Sequence, residues 1–164
     1  MQYKGGYERG LFSGEGILRN VVGVYKGRWK AGKRHGRGIM NWSRDHAIYD
    51  GAWKNGQMNG MGRYERKDGS SYNGLWVDHM RHGNGTEVLV NNERYVGRWA
   101  KNLRDGPGTY RFANGQLREG EWEAGKLVQW ITGKKLGGME VPTALKETFK
   151  ADIAMLDAKI EAKE

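Results

Sequence analysis

Apolar and polar side chains alternate in short bursts along most of the chain, as in Tyr25-Lys26-Gly27-Arg28-Trp29-Lys30. A period of two puts Tyr25, Gly27 and Trp29 on one face of a β-strand and the charged residues on the other. The burst recurs. Tyr3, Tyr25, Tyr49, Tyr72 and Tyr95 are spaced by 22, 24, 23 and 23 residues, and Arg118 replaces the tyrosine 23 further on. Two positions after each stands Gly5, Gly27, Gly51, Gly74, Gly97 or Gly120; four positions after stands Tyr7, Trp29, Trp53, Trp76, Trp99 or Trp122. Such self-similarity marks a repeat architecture.

Seven positions into each unit stands Gly10, Gly32, Gly56, His79, Asn102 or Gly125. Most of these types tolerate a left-handed backbone and so a bend. A Gly-x-Gly pair follows, as in Gly36-Arg37-Gly38, and opens a returning strand whose same-face residues continue as Met40, Tyr64 or Tyr110. Asp68-Gly69, Asn91-Asn92 and Asn114-Gly115 between units are tight-turn dipeptides. Each unit therefore predicts one β-hairpin. The expected register sets Trp29 opposite Gly36, Gly27 opposite Gly38 and Tyr25 opposite Met40. Indole and phenol rings would then lie over bare glycine backbone, recovering what glycine costs a strand.

The run Tyr25 to Gly38 resembles a MORN repeat (membrane occupation and recognition nexus), and Tyr49 to Gly62, Tyr72 to Gly85 and Tyr95 to Gly108 are similar to it. The first unit departs with Tyr7 for Trp, and the sixth with Arg118 for Tyr and with Gln129 and Ile131 in place of the paired glycines. Terminal units that lose the pattern are expected where stacking stops. The resemblance spans residues 3–125 and implies a mainly β fold: an elongated, twisted, single-layer antiparallel sheet of repeated hairpins over residues 1–131, with units opening near 3, 25, 49, 72, 95 and 118.

Past a linker at 132–141 the pattern changes. Leu145, Phe149, Ile153, Leu156 and Ile160 form one apolar stripe at helical spacing, with Pro142 and Thr143 at its start, and predict an amphipathic helix over 142–163. The helix could cover its own sheet, or pair with a partner or a second copy of the chain.

Composition narrows the chemistry. The 164 residues hold 27 glycines, 7 tryptophans, 8 tyrosines and no cysteine. Disulfides, thiolate metal sites and cysteine nucleophiles are excluded, and so many rings argue against disorder. There is no apolar run of membrane-spanning length and no signal-peptide core, so the expected location is the cytoplasm. His35, His46, His79 and His82 offer no third ligand for a metal, and no phosphate loop or carboxylate dyad stands out. No cofactor and no enzymatic activity are expected. MORN repeats occur beside lipid kinase and lysine methyltransferase domains, which need more chain than this sequence has.

Lys plus Arg exceed Asp plus Glu by 28 to 19, a net charge of +9. Lys33, Arg34, Arg81 and Arg104 are placed in the turns within their units, a basic edge suited to an acidic lattice or lipid headgroups. The resemblance implies a scaffold or adaptor of the cytoskeleton, in particular of a ciliary or flagellar axoneme. Its aromatic groove (Tyr25, Trp29, Tyr49, Trp53, Tyr72, Trp76, Tyr95, Trp99 and Trp122) would grip a helix. Tubulin or another axonemal subunit is the expected partner, with self-association also open. The alternative is a peripheral tether on anionic phosphoinositide membranes. Nucleic acid is disfavoured, because the rings belong to repeat columns and no nucleic-acid module is visible.

Overall fold

The computed structural model describes residues 1–131. The helix expected over 142–163, with its stripe Leu145, Phe149, Ile153, Leu156 and Ile160, lies outside the described residues.

Every repeat is a hairpin. The strands are β1 (Gln2–Glu8), β2 (Leu11–Asn20), β3 (Gly23–Lys30), β4 (Lys33–Trp42), β5 (Ile48–Lys54), β6 (Gln57–Glu65), β7 (Ser71–Val77), β8 (Met80–Val88), β9 (Arg94–Ala100), β10 (Leu103–Arg111), β11 (Leu117–Glu123) and β12 (Lys126–Trp130). They pair antiparallel in chain order, as one open sheet with β1 and β12 at its edges.

Within each hairpin the link is two residues long. Arg9-Gly10, Ala31-Gly32, Asn55-Gly56, Asp78-His79, Lys101-Asn102 and Ala124-Gly125 all have positive φ at both positions, as a type I′ turn requires. The turn then ties its repeat to the one before: the N–H groups of Gly32, Gly56, His79, Asn102 and Gly125 donate to the carbonyls of Phe12, Arg34, Met58, Arg81 and Arg104. Between hairpins the expected dipeptides do form turns, with Gly69, Asn92 and Gly115 at positive φ. Asn20, Asp45, Asp68, Asn91 and Asn114 each accept from the backbone N–H two residues on, forming a further column of the repeat.

Two of the three expected pairings hold: Gly27 faces Gly38 and Tyr25 faces Met40. The third is corrected. Trp29 faces Arg34, while Gly36 lies opposite Trp53 of the next hairpin. A bulge after Gly27 is the cause. Gly36 takes a left-handed φ of 64°, as do Gly14, Gly60, Gly83 and Gly106 at the same position, so the first glycine of each pair bulges and the second returns to the ladder.

The second glycines and the strand glycines line up from β1 to β11, and Trp130 takes the place in β12. Gly5, Gly16, Gly27, Gly38, Gly51, Gly62, Gly74, Gly85, Gly97, Gly108 and Gly120 are partners in succession, one per strand. Each of Tyr25, Tyr49, Tyr72 and Tyr95 lays its phenol over the glycine pair of its own hairpin. A Cβ on Gly74 would lie 2.6 Å from the Tyr72 hydroxyl, and one on Gly62 would lie 2.5 Å from Cε2 and Cζ of Tyr49. The phenol, rather than the indole, covers the glycines at these four hairpins.

Candidate functional site

The aromatic face is an interlocked ladder. Tyr25 meets Trp29 of its own repeat and Trp53 of the next edge-on, with centroids 5.0 and 5.4 Å apart. Tyr49 with Trp53 and Trp76, Tyr72 with Trp76 and Trp99, and Tyr95 with Trp99 and Trp122 repeat the motif at 4.8–5.6 Å. Edge-to-face pairs contribute about 0.5–1.5 kcal/mol each beyond their buried area. The polar atoms are satisfied as well. The hydroxyls of Tyr25, Tyr49, Tyr72 and Tyr95 donate to the carbonyls three residues on. The indoles of Trp29, Trp53, Trp76 and Trp99 donate to the row glycines Gly16, Gly38, Gly62 and Gly85. Burial pushes the four phenols well above the ordinary tyrosine range.

The sequence placed these rings on a partner-gripping surface. The structure brings all nine together but buries them, with 0–7% of each exposed. Partly buried and packed against them is a second set: Tyr3, Phe12, Leu18, Trp42, Tyr64, Tyr110 and Trp130. The sequence reading missed most of these as contact residues, although Tyr64 and Tyr110 had been assigned to the same face.

All four residues of the expected basic edge lie in strands rather than in the turns. Arg34, Arg81 and Arg104 are strand residues opposite Trp29, Trp76 and Trp99, because the turn is only two residues long and the strand resumes directly after it. They lie on the rings: Arg34 is 4.3 Å from the Trp53 centroid, Arg81 4.1 Å from Trp99 and Arg104 4.6 Å from Tyr95. Lys33 opens β4 directly opposite Lys30 and is exposed.

Glu87 joins two of these arginines. Its Oε1 accepts from Arg81 at 2.7 Å and its Oε2 from Arg104 at 2.7 Å, with all three side chains only 16–22% exposed. It occupies the column that holds Met40, Tyr64 and Tyr110 in other repeats, and that substitution was the available signal. Nearby, Tyr110 donates to Glu93 at 2.6 Å; burial and this carboxylate push the phenol up to about 12, and the bond holds Glu93 below its usual range.

At the other end of the ladder, beside Arg34, a cavity of about 330 Å³ opens between Leu18, Val22, Tyr25, Trp29 and Met40. Among the described residues no three His, Cys, Asp or Glu side chains gather as a metal site. His79 lies in a turn, its pKa lowered by burial and then by Arg34, and His82 faces Leu75 on the opposite side of the sheet from the rings.

The MORN repeat family model matches residues 3–23, 25–45, 49–71, 72–94 and 95–117. The chain belongs to the MORN-repeat family. The hairpin of β11 and β12 extends the sheet beyond the fifth matched repeat. No match was found among curated proteins. The MORN ladder explains the family columns physically: tyrosine covers the glycine row, and tryptophan braces one repeat against the next.

Proposed function

We propose that this MORN-repeat chain is a non-catalytic scaffold that holds a segment of a protein partner against its aromatic face. The observation that carries the reading is the set of partly buried apolar residues, Trp42, Tyr64, Tyr110 and Trp130 among them, packed against rings that are themselves buried. Apolar surface left on such a set suits a segment of a protein partner. The assembly we assign it to is cytoskeletal, a ciliary or flagellar axoneme. Support for that assignment comes from the likeness to short chains built almost wholly of MORN repeats. A photo-crosslinking residue in place of Tyr64 tests the surface against one in place of Met61, which is 62% exposed on the other face. Protein adducts from position 64 alone are expected; adducts from position 61 alone would refute the reading.

A second reading has its own observation. Residues 19–44 contain eight Lys or Arg and no Asp or Glu. Lys26, Arg28 and Lys30 lie on the face opposite the rings, and among the described residues only Arg28 of the three is ion-paired, to Glu15. Such a patch would favour anionic headgroups by about 1 kcal/mol per well-placed cation. Sedimentation with phosphoinositide vesicles at low and high salt tests it: salt-sensitive co-sedimentation supports it, and none at low salt excludes it.

A further inference from the structure

Repeats two and four offer the same arginine to the same rings, but among the described residues only one of the two guanidiniums has a carboxylate. Arg34 and Arg81 stand opposite Trp29 and Trp76, and each lies over the indole of the following repeat. Each also gives an N–H to the carbonyl of the following turn, Arg34 to Gly56 at 3.0 Å and Arg81 to Asn102 at 2.8 Å. Six residues after Arg81 comes Glu87, which accepts from it at 2.7 Å. Six residues after Arg34 comes Met40, buried and apolar. Among the described residues no carboxylate pairs with Arg34. Arg34 itself lines a cavity whose other side chains are Leu18, Asn20, Val22, Tyr25, Trp29, Lys33 and Met40, with no carboxylate among them.

We propose that the cavity beside Arg34 is a recognition pocket for a carboxylate borne on an apolar stretch of a protein partner, an Asp or Glu next to a hydrophobic side chain. Arg34 would be the counter-ion, and the partner would supply in repeat two what Glu87 supplies in repeat four.

The volume, about 330 Å³, is at the small end for ligand pockets and suits one or two side chains. Its walls (Leu18, Val22, Tyr25, Trp29 and Met40) suit the hydrophobic neighbour. A guanidinium whose carbon lies 4.3 Å over the Trp53 ring and which is bonded to the Gly56 carbonyl is held in place, and its fork matches the two oxygens of a carboxylate. The acid-free stretch 19–44 would steer an acidic segment toward this end of the sheet. Burial also pulls the Arg34 pKa below its ordinary value, the direction expected of a cation without a counter-charge.

The proposal rests on the aromatic face being a docking surface, and its test separates the two. The labelled full-length chain is titrated with phenylpropionate, phenylpropionamide and phenyl phosphate, following the Arg34 Nε–H and Trp29 indole signals by NMR. Two variants copy other repeats: Arg34→Met reproduces Met58, which faces Trp53 in repeat three, and Met40→Glu reproduces Glu87. Phenylpropionate should shift both signals saturably, and its affinity should fall about tenfold or more with the amide or with either variant. Thermal unfolding checks each variant, and if Met40→Glu does not fold, Arg34→Met decides. Equal binding of acid and amide would overturn the pocket's charge selectivity while leaving the docking surface standing. No response to any probe would remove both. Tighter binding of phenyl phosphate would overturn the proposal in favour of a phosphorylated ligand. Finally, Glu140→Gln, Glu147→Gln, Asp152→Asn, Asp157→Asn, Glu161→Gln and Glu164→Gln are made together. The Arg34 signal of the unliganded chain should not move; if it does, the carboxylate comes from the same chain and a partner is not needed.

Discussion

Replacing Gly62 by alanine should destabilise the sheet, although alanine is ordinarily the better residue. The added Cβ would stand 2.5 Å from Tyr49 Cε2 and Cζ. Carbon atoms prefer about 3.5–4.0 Å, so the ring has to withdraw by about 1–1.5 Å. Tyr49 has no exposed surface, is wedged 5.2 Å from Trp53 and 5.6 Å from Trp76, and bonds to the Ala52 carbonyl at 3.0 Å. Overpacking of this kind costs about 1–3 kcal/mol, and complete ejection of an aromatic about 3–5. Alanine returns only about 0.4–1 kcal/mol by stiffening the unfolded chain. A net loss of about 2 kcal/mol is expected, read as a lowered urea midpoint. Gly69→Ala is the control: its Cβ would touch nothing, and its φ of 84° limits the cost to about 1–2 kcal/mol of backbone strain. In combination with Tyr49→Ala, the Gly62→Ala penalty should largely disappear. An unchanged or raised midpoint for Gly62→Ala alone would refute the steric reasoning.

Other changes test the remaining parts. Ala31→Asn should stabilise by about 0.5–1 kcal/mol by creating the Asn-Gly turn already present at 55–56, since Ala31 is held at a φ of 48°; an unchanged midpoint would mean the turn is not strained. Glu87→Gln should cost about 1–3 kcal/mol by leaving two half-buried guanidiniums without a counter-charge. Glu15→Gln should cost under about 0.5 kcal/mol, because the Arg28–Glu15 pair is mostly in water; equal effects of the two would contradict the burial argument. Alkali should unfold the chain by a definite route. Phenols whose folded pKa lies above the unfolded value near 10 bind more protons folded than unfolded, so stability is full below about pH 10 and falls as pH rises beyond it. The part of the ultraviolet tyrosinate band that belongs to these four of the eight tyrosines should therefore grow late and together with unfolding, whereas growth of the whole band with the fold intact would contradict it.

The hairpins were legible because the Tyr-x-Gly-x-Trp alternation and its spacing fix both strand faces and turn positions. Register was legible only up to the bulge. Nothing in Gly36-Arg37-Gly38 says which glycine bulges, and a Trp29–Gly36 pairing satisfies the same alternation as the observed Trp29–Arg34. The arginines followed from that error: a longer imagined turn moved Arg34, Arg81 and Arg104 off the strands and away from the rings they cover. The depth of the rings was not legible: the repeat columns show which residues share a face, but not that Tyr49 and Tyr95, each edge-on to the tryptophans of its own and the next repeat, have 0% exposure.

The most direct measurement of the glycine–tyrosine overlay is the chemical shift of the glycine Hα protons, with nuclear Overhauser contacts to assign the ring responsible. Hα resonances of Gly38, Gly62 and Gly85 should be displaced far upfield by Tyr25, Tyr49 and Tyr72, the rings against which a Cβ at these glycines would press. Ordinary glycine shifts with no contact to those phenols would contradict it.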